Sequence, residues 1–128
     1  MNETIKRPWA GIIVSALPAL FLLVDAAGKL LKPEPVVSGT LELGYSENVI
    51  VPLGITLLIS VILYAVPVTS VLGAILLTGY LGGAVATHVR VGNPLATHVL
   101  FPIYIGVLLW LGLYLRDMRI RELLPLRK

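Results

Sequence analysis

The sequence predicts an all-α protein, embedded in a membrane as a four-helix bundle. Three observations carry that prediction. The 128-residue chain is 57% hydrophobic and 13% charged, with a mean hydropathy of +0.92, whereas soluble domains are nearer half apolar and a quarter charged. Its charges avoid the middle and late chain: Asn48–Val89 and Val91–Leu115 hold no Asp, Glu, Lys or Arg. Finally, Pro67 in "AVPVTS" (Ala65–Ser70) divides the first of these stretches, because proline lacks an N–H and disfavours helix at the residue before it.

A spanning helix needs about 20 mostly apolar residues. The chain has room for four, near residues 9–31, 48–66, 69–89 and 95–115, within a single domain, 1–128. The first follows a basic start and ends where Pro33 and Pro35 interrupt it. Asp25 stands where a signal-peptide cleavage site needs a small residue, so this span is expected to remain in the chain. Residues 32–47, "KPEPVVSGTLELGYSE", are expected to form a non-cytoplasmic loop. Its alternating "TLELGY" is compatible with a short extended cap or a re-entrant piece.

The third span carries Gly79-x-x-x-Gly83-x-x-x-Thr87. Small residues at this spacing let helix backbones approach in lipid, where no hydrophobic drive pushes helices together. Gly79, Gly83 and Thr87 are therefore expected at a close helix contact, with a ligand groove along the same face as the alternative. At 100° per residue, Tyr80, Gly83, Ala84, Thr87 and His88 share one face.

Orientation follows Lys and Arg in the short flanks. Lys6, Arg7, Arg116, Arg119, Arg121, Arg127 and Lys128 fall on one side, and Lys29, Lys32 and Arg90 on the other, where Glu34, Glu42 and Glu47 dilute them. Seven against three places both termini in the cytoplasm, in an inner (plasma) membrane. Trp9, Tyr45 and Tyr114 lie near the expected interfaces, where aromatic belts form.

The polar residues worth a functional reading gather at the other side. Asp25 and Lys29 are four apart on a face with Pro18 and Phe21, suited either to an interfacial ion pair or to the wall of a polar pocket. "ATHVRVGNPLATH" (Ala86–His98) contains both histidines of the chain. Gly92 suits a helix end, Asn93 an N-cap and Pro94 a first helical position. The turn so formed sets His88 and His98 at similar depth on neighbouring helices. Arg90 either anchors to lipid head groups or pairs with Glu42 or Asp25. The ligand or polar-mouth candidates are thus Asp25, Lys29, Glu42, Tyr80, His88, Arg90 and His98. Two histidines alone make a poor metal site, since zinc wants three or four protein ligands, so no metal is expected. The absence of cysteine removes disulfides and thiol redox relays.

The run "LLTGYLGGAVATHVRVGNPLATHVLFPIYIGVLLWLGLYLRD" (Leu76–Asp117), with "GTLELGY" (Gly39–Tyr45) upstream, resembles the DoxX-like family of small four-helix membrane proteins. The resemblance implies four spans. Through a relative that is the small membrane subunit of a thiosulfate:quinone oxidoreductase, it also implies a quinone-linked role. The thiol chemistry of four-helix quinone-reducing oxidases does not carry over to a chain without cysteine. The expected function is a subunit of a membrane redox complex, quinone-linked or without catalysis of its own, with quinone as the cofactor to look for. The alternative is a small transporter or lipid-handling protein. Expected partners are the bilayer and either a redox partner or further copies of the chain; nucleic acid is not among them.

Overall fold

The structure is a computed structural model, and it describes residues 9–123. Lys6, Arg7, Arg127 and Lys128, which enter the charge count, lie outside the described residues. Six α-helices follow in order: α1 (Trp9–Leu31), α2 (Glu34–Glu42), α3 (Ile50–Ala65), α4 (Ser70–Val91), α5 (Phe101–Arg116) and α6 (Met118–Leu123). No strand occurs among the described residues. Counting the turns that lead into them, four segments among the described residues are long and apolar enough to cross a membrane: Trp9–Leu31, Glu47–Ala65, Pro67–Val91 and Leu95–Arg116. These lie within two residues of the predicted bounds, because hydropathy and proline positions alone decide where such helices can run.

The four long helices form a ring. α1 packs on α3 and α5, α3 on α4, and α4 on α5. The short connections at 66–69 and 92–100 set α3 and α4, and α4 and α5, antiparallel. The interior holds Leu22, Leu57, Tyr64, Leu77, Leu109 and Leu113, all nearly inaccessible. Small polar side chains are buried with them, at Ser15, Ser60, Ser70 and Thr87. Large apolar side chains point outward instead, among them Leu17, Val24, Ile59, Ile75 and Val107, each more than half exposed. In water that arrangement would waste the hydrophobic effect; in lipid it costs nothing, and it marks a multi-pass membrane protein.

Close helix crossings fall at positions other than the predicted ones. A Cβ at Gly73 would overlap the Tyr64 backbone, and one at Gly112 would overlap Ser15. These two glycines let α4 meet α3 and α5 meet α1. A Cβ at Gly79 or Gly83 would meet nothing within 4 Å. Among the described residues no helix therefore packs closely at Gly79 or Gly83, and the notch there lies open, whereas Thr87 is buried. Spacing identifies a small-residue face but not the direction it points.

Two connections also correct the sequence reading. Residues 32–47, expected as a loop with an extended or re-entrant piece, contain helix α2. Lys32 takes φ +56 and Pro33 an extended conformation, so the chain reverses after α1. Pro35 then sits in the first turn of α2, where its fixed φ suits a helix. Thr40, on the supposed alternating stretch, is buried and bonds back to the Val36 carbonyl at 2.8 Å. Lys32 and Glu47 form an ion pair at 3.2 Å that ties the segment's ends.

At the other connection, Gly92 ends α4 in the left-handed region at φ +77, as predicted. Asn93 does not cap the next helix; its side chain bonds His88 Nδ1 at 2.7 Å. Leu95–Val99 is a widened, π-type turn, and regular helix begins at Phe101. Pro102 is the physical reason. It cannot donate to the carbonyl four residues earlier, at His98, and its ring crowds that carbonyl.

Candidate functional site

The two ends of the bundle differ. The Pro67 end is stapled shut. Tyr64 is buried; its hydroxyl donates to the Leu109 carbonyl at 2.5 Å, and its oxygen lies 3.1 Å from Ser15 Oγ, so the serine hydroxyl is the donor in that bond. Arg116 donates from Nε to Ser15 Oγ at 3.0 Å and from Nη2 to the Tyr64 carbonyl at 2.9 Å, with its guanidinium 4.7 Å from the Tyr64 ring centroid. This joins α1, α3 and α5. Beside it, Arg119 bonds Asp117 and the Pro67 carbonyl, each at 2.7 Å from Nη2, and Ser70 donates to Asp117 Oδ2 at 3.3 Å. The Arg119 guanidinium holds the Asp117 carboxyl below the usual carboxylate range, against a smaller opposing effect of burial. Every buried polar side-chain atom here has a hydrogen-bond partner.

The α2 end is open and polar. Two adjoining cavities share Asp25, Lys29, Thr40, Leu43 and His88 as a common wall. One, of about 450 Å³, lies under α2 and reaches Glu42, Asn93 and His98. The other, of about 350 Å³, runs along α4 past Thr87, Ala84, Gly83, Tyr80 and Gly79, with Leu53 opposite. The first is the more polar. The second leads from polar groups toward an apolar floor, and Gly79 and Gly83 give it its depth because no side chain fills the notch.

Individual contacts fix this wall. Lys29 Nζ donates to Asp25 Oδ1 at 2.5 Å, with the lysine side chain 16% exposed and the aspartate 35%. The i,i+4 spacing on α1 brings the two together. Thr87 donates back to the Gly83 carbonyl at 2.8 Å, so in its 2.6 Å bond with Tyr45 the phenol is the donor. That bond clasps the segment after α2 onto α4. Arg90 donates to the Leu43 carbonyl at 2.6 Å. Gly44, at φ +95, leaves room for the guanidinium.

His88 and His98 have ring centroids 5.5 Å apart, in an edge-to-face arrangement of 74°. Their Nδ1 atoms face Asn93 and Thr97 respectively.

The predicted mouth residues are thus largely gathered. Asp25, Lys29, Glu42, Tyr80, His88 and His98 all line one or both cavities, although Glu42 and His98 are exposed at the rim. Arg90 stands apart. It pairs with neither Glu42 nor Asp25 among the described residues; its Nη2 donates instead to the Leu43 carbonyl just after α2. Thr40, Tyr45 and Asn93 belong to the site without having been singled out for it. Their signal was hidden in a segment read as a loop and in a residue read as a cap. No three His, Asp or Glu side chains converge as metal ligands among the described residues.

The comparisons with known proteins agree with this architecture. The model of the DoxX-like family matches residues 13–112. No curated protein and no solved structure gives a match.

Proposed function

The chain belongs to the DoxX-like family, and from that premise we propose that it is a quinone-linked subunit of a membrane redox complex, holding the quinone head in its polar mouth. The observation that supports this is the graded cavity along α4. At one end stand the Lys29 ammonium, the Asp25 carboxylate, His88 and the Tyr45–Thr87 clasp. At the other stand Leu53, Ala84 and the open notch at Gly79 and Gly83. Such grading matches an amphipathic molecule with carbonyl oxygens on an apolar body. Lys29 and a protonated ring nitrogen of His88 are donors for those oxygens. Small-molecule sites are mostly apolar with a few convergent polar groups, and the two cavities together fall in their usual size range.

The chain has no thiol, and its part in this reading is to hold and orient the quinone while a partner exchanges electrons with it. The bias of Lys and Arg supports an inner-membrane orientation with both termini in the cytoplasm and the mouth on the far side.

The test is equilibrium titration of the protein in nanodiscs with a short-chain quinone. One quinone per chain, bound saturably, is expected. Gly83→Leu, whose side chain enters open cavity space, should weaken binding about tenfold or more, as a blocked subsite does. A parent protein that binds no quinone refutes the reading.

A further inference from the structure

A separate feature faces the lipid. Between α4 and α5 lies a groove of about 680 Å³, lined by Leu81, Gly82, Val85, Gly106, Trp110 and Tyr114 among others. On its wall Trp110 Nε1 donates to Thr78 Oγ1 at 2.7 Å. Gly82 and Gly106 hollow it out. A Cβ at Gly82 would meet nothing within 4 Å, and one at Gly106 would find only Leu81, at 3.7 Å.

Shape narrows the occupant. From Pro102 to Leu115, the stretch of α5 along the groove, the rise is about 20 Å. An open-sided groove of that length and volume has room for an extended acyl chain laid along it. The groove is also longer than the ~15 Å half-thickness of the hydrocarbon core. A chain entering from one leaflet can therefore lie in it over its whole length.

Charge narrows it further. The groove ends at Tyr114, Leu115 and Ile120, and Arg121 sits over that end. Arg121 donates from Nε to the Tyr114 carbonyl at 2.8 Å and from Nη2 to the Leu115 carbonyl at 2.6 Å, with its guanidinium 5.9 Å from the Tyr114 ring centroid. These bonds hold the group in place without neutralising it. Nη1 meets only the Met118 thioether, at 3.9 Å. Among the described residues no carboxylate pairs with Arg121, whereas neighbouring Arg119 is neutralised by Asp117. An immobilised, exposed cation at the mouth of an acyl-sized groove recognises a phosphate attached to a hydrocarbon chain.

We propose that the α4–α5 groove binds one acyl chain of an anionic membrane phospholipid, with the lipid phosphate on the Arg121 guanidinium. This site lies on a different face from the mouth and does not depend on what the mouth holds.

Trp110 reports on it directly. In a Trp9→Phe background it is the single tryptophan. The protein is reconstituted in phosphatidylcholine vesicles with rising fractions of chain-brominated phosphatidylglycerol, and in the reciprocal mixture with brominated phosphatidylcholine. Bromine quenches indole on contact. Brominated phosphatidylglycerol should reach half-maximal quenching at a mole fraction about fivefold lower or more, the factor that one cationic side chain at an anionic surface contributes. Gly82→Leu, which fills the groove from open space, and Arg121→Gln, an exposed substitution that leaves the fold intact, should each make the two lipids equivalent. Equal quenching by both lipids in the parent, a preference that survives Arg121→Gln, or a Trp110 shielded from both lipids by a second copy of the chain would each overturn the proposal.

Discussion

At the scale of single residues, the ion pair Lys29–Asp25 is the most consequential contact in the mouth. Removing one partner leaves the other charge with little water and no counter-ion. Asp25→Asn should therefore destabilise the protein by about 1–2 kcal/mol, less than for a fully buried pair because both groups retain some solvent. Thermal unfolding in nanodiscs measures it. Adding Lys29→Met should recover most of the loss, since the uncompensated charge goes with it.

Asp117 carries the pH dependence at the opposite end. Its carboxyl is held below the ordinary value of about 3.9 by Arg119. A depressed folded value contributes stability that is present above the unfolded value and lost as pH falls through the folded one. Wild type should thus be more stable than Asp117→Asn at neutral pH, and the gap should close on acidification below about pH 4. Melting temperatures of the two proteins between pH 7 and pH 3 decide this; a gap independent of pH would show that the carboxylate charge is irrelevant.

At the scale of elements, two kinds of glycine separate. Gly73 and Gly112 sit where a methyl group has nowhere to go. Gly73→Ala should cost about 1–3 kcal/mol by overpacking α3 against α4. Gly79→Ala meets nothing and should be neutral or stabilising by up to about 1 kcal/mol through helix propensity. Paired melting curves of the two variants test the assignment of close crossings, and equal effects would contradict it. The helices themselves were legible in the sequence because apolar length and proline positions are local properties. α2 was not: a nine-residue amphipathic segment with two prolines at its start reads as a loop until the mouth beneath it supplies a surface for Thr40 to bury against.

At the scale of the whole molecule, the bundle is polar and hollow at one end and stapled at the other. Sidedness makes a direct prediction. The chain has no native cysteine, so single cysteines report topology without background. With intact cells and a membrane-impermeant maleimide, Glu42→Cys should label from outside and Thr69→Cys should not; the reverse pattern would invert the proposed orientation. The sequence by itself determined the fold class, the four spans, the Gly92 turn and the family, since all of these follow from hydropathy, backbone preference and residue order along the chain. It also named most of the mouth, because Asp25 and Lys29 are one helical turn apart and His88 and His98 flank one turn. Only the tertiary structure decided what those residues face. Ser15, Tyr64 and Arg116 meet across 49 and 101 residues of separation, and Arg90 finds a hydrogen-bond acceptor in the Leu43 carbonyl, which follows α2. Gly79 and Gly83 border a cavity rather than a helix. Which side of a helix is covered depends on how its neighbours pack around it, and in lipid either side of an apolar helix can be buried at little difference in transfer energy.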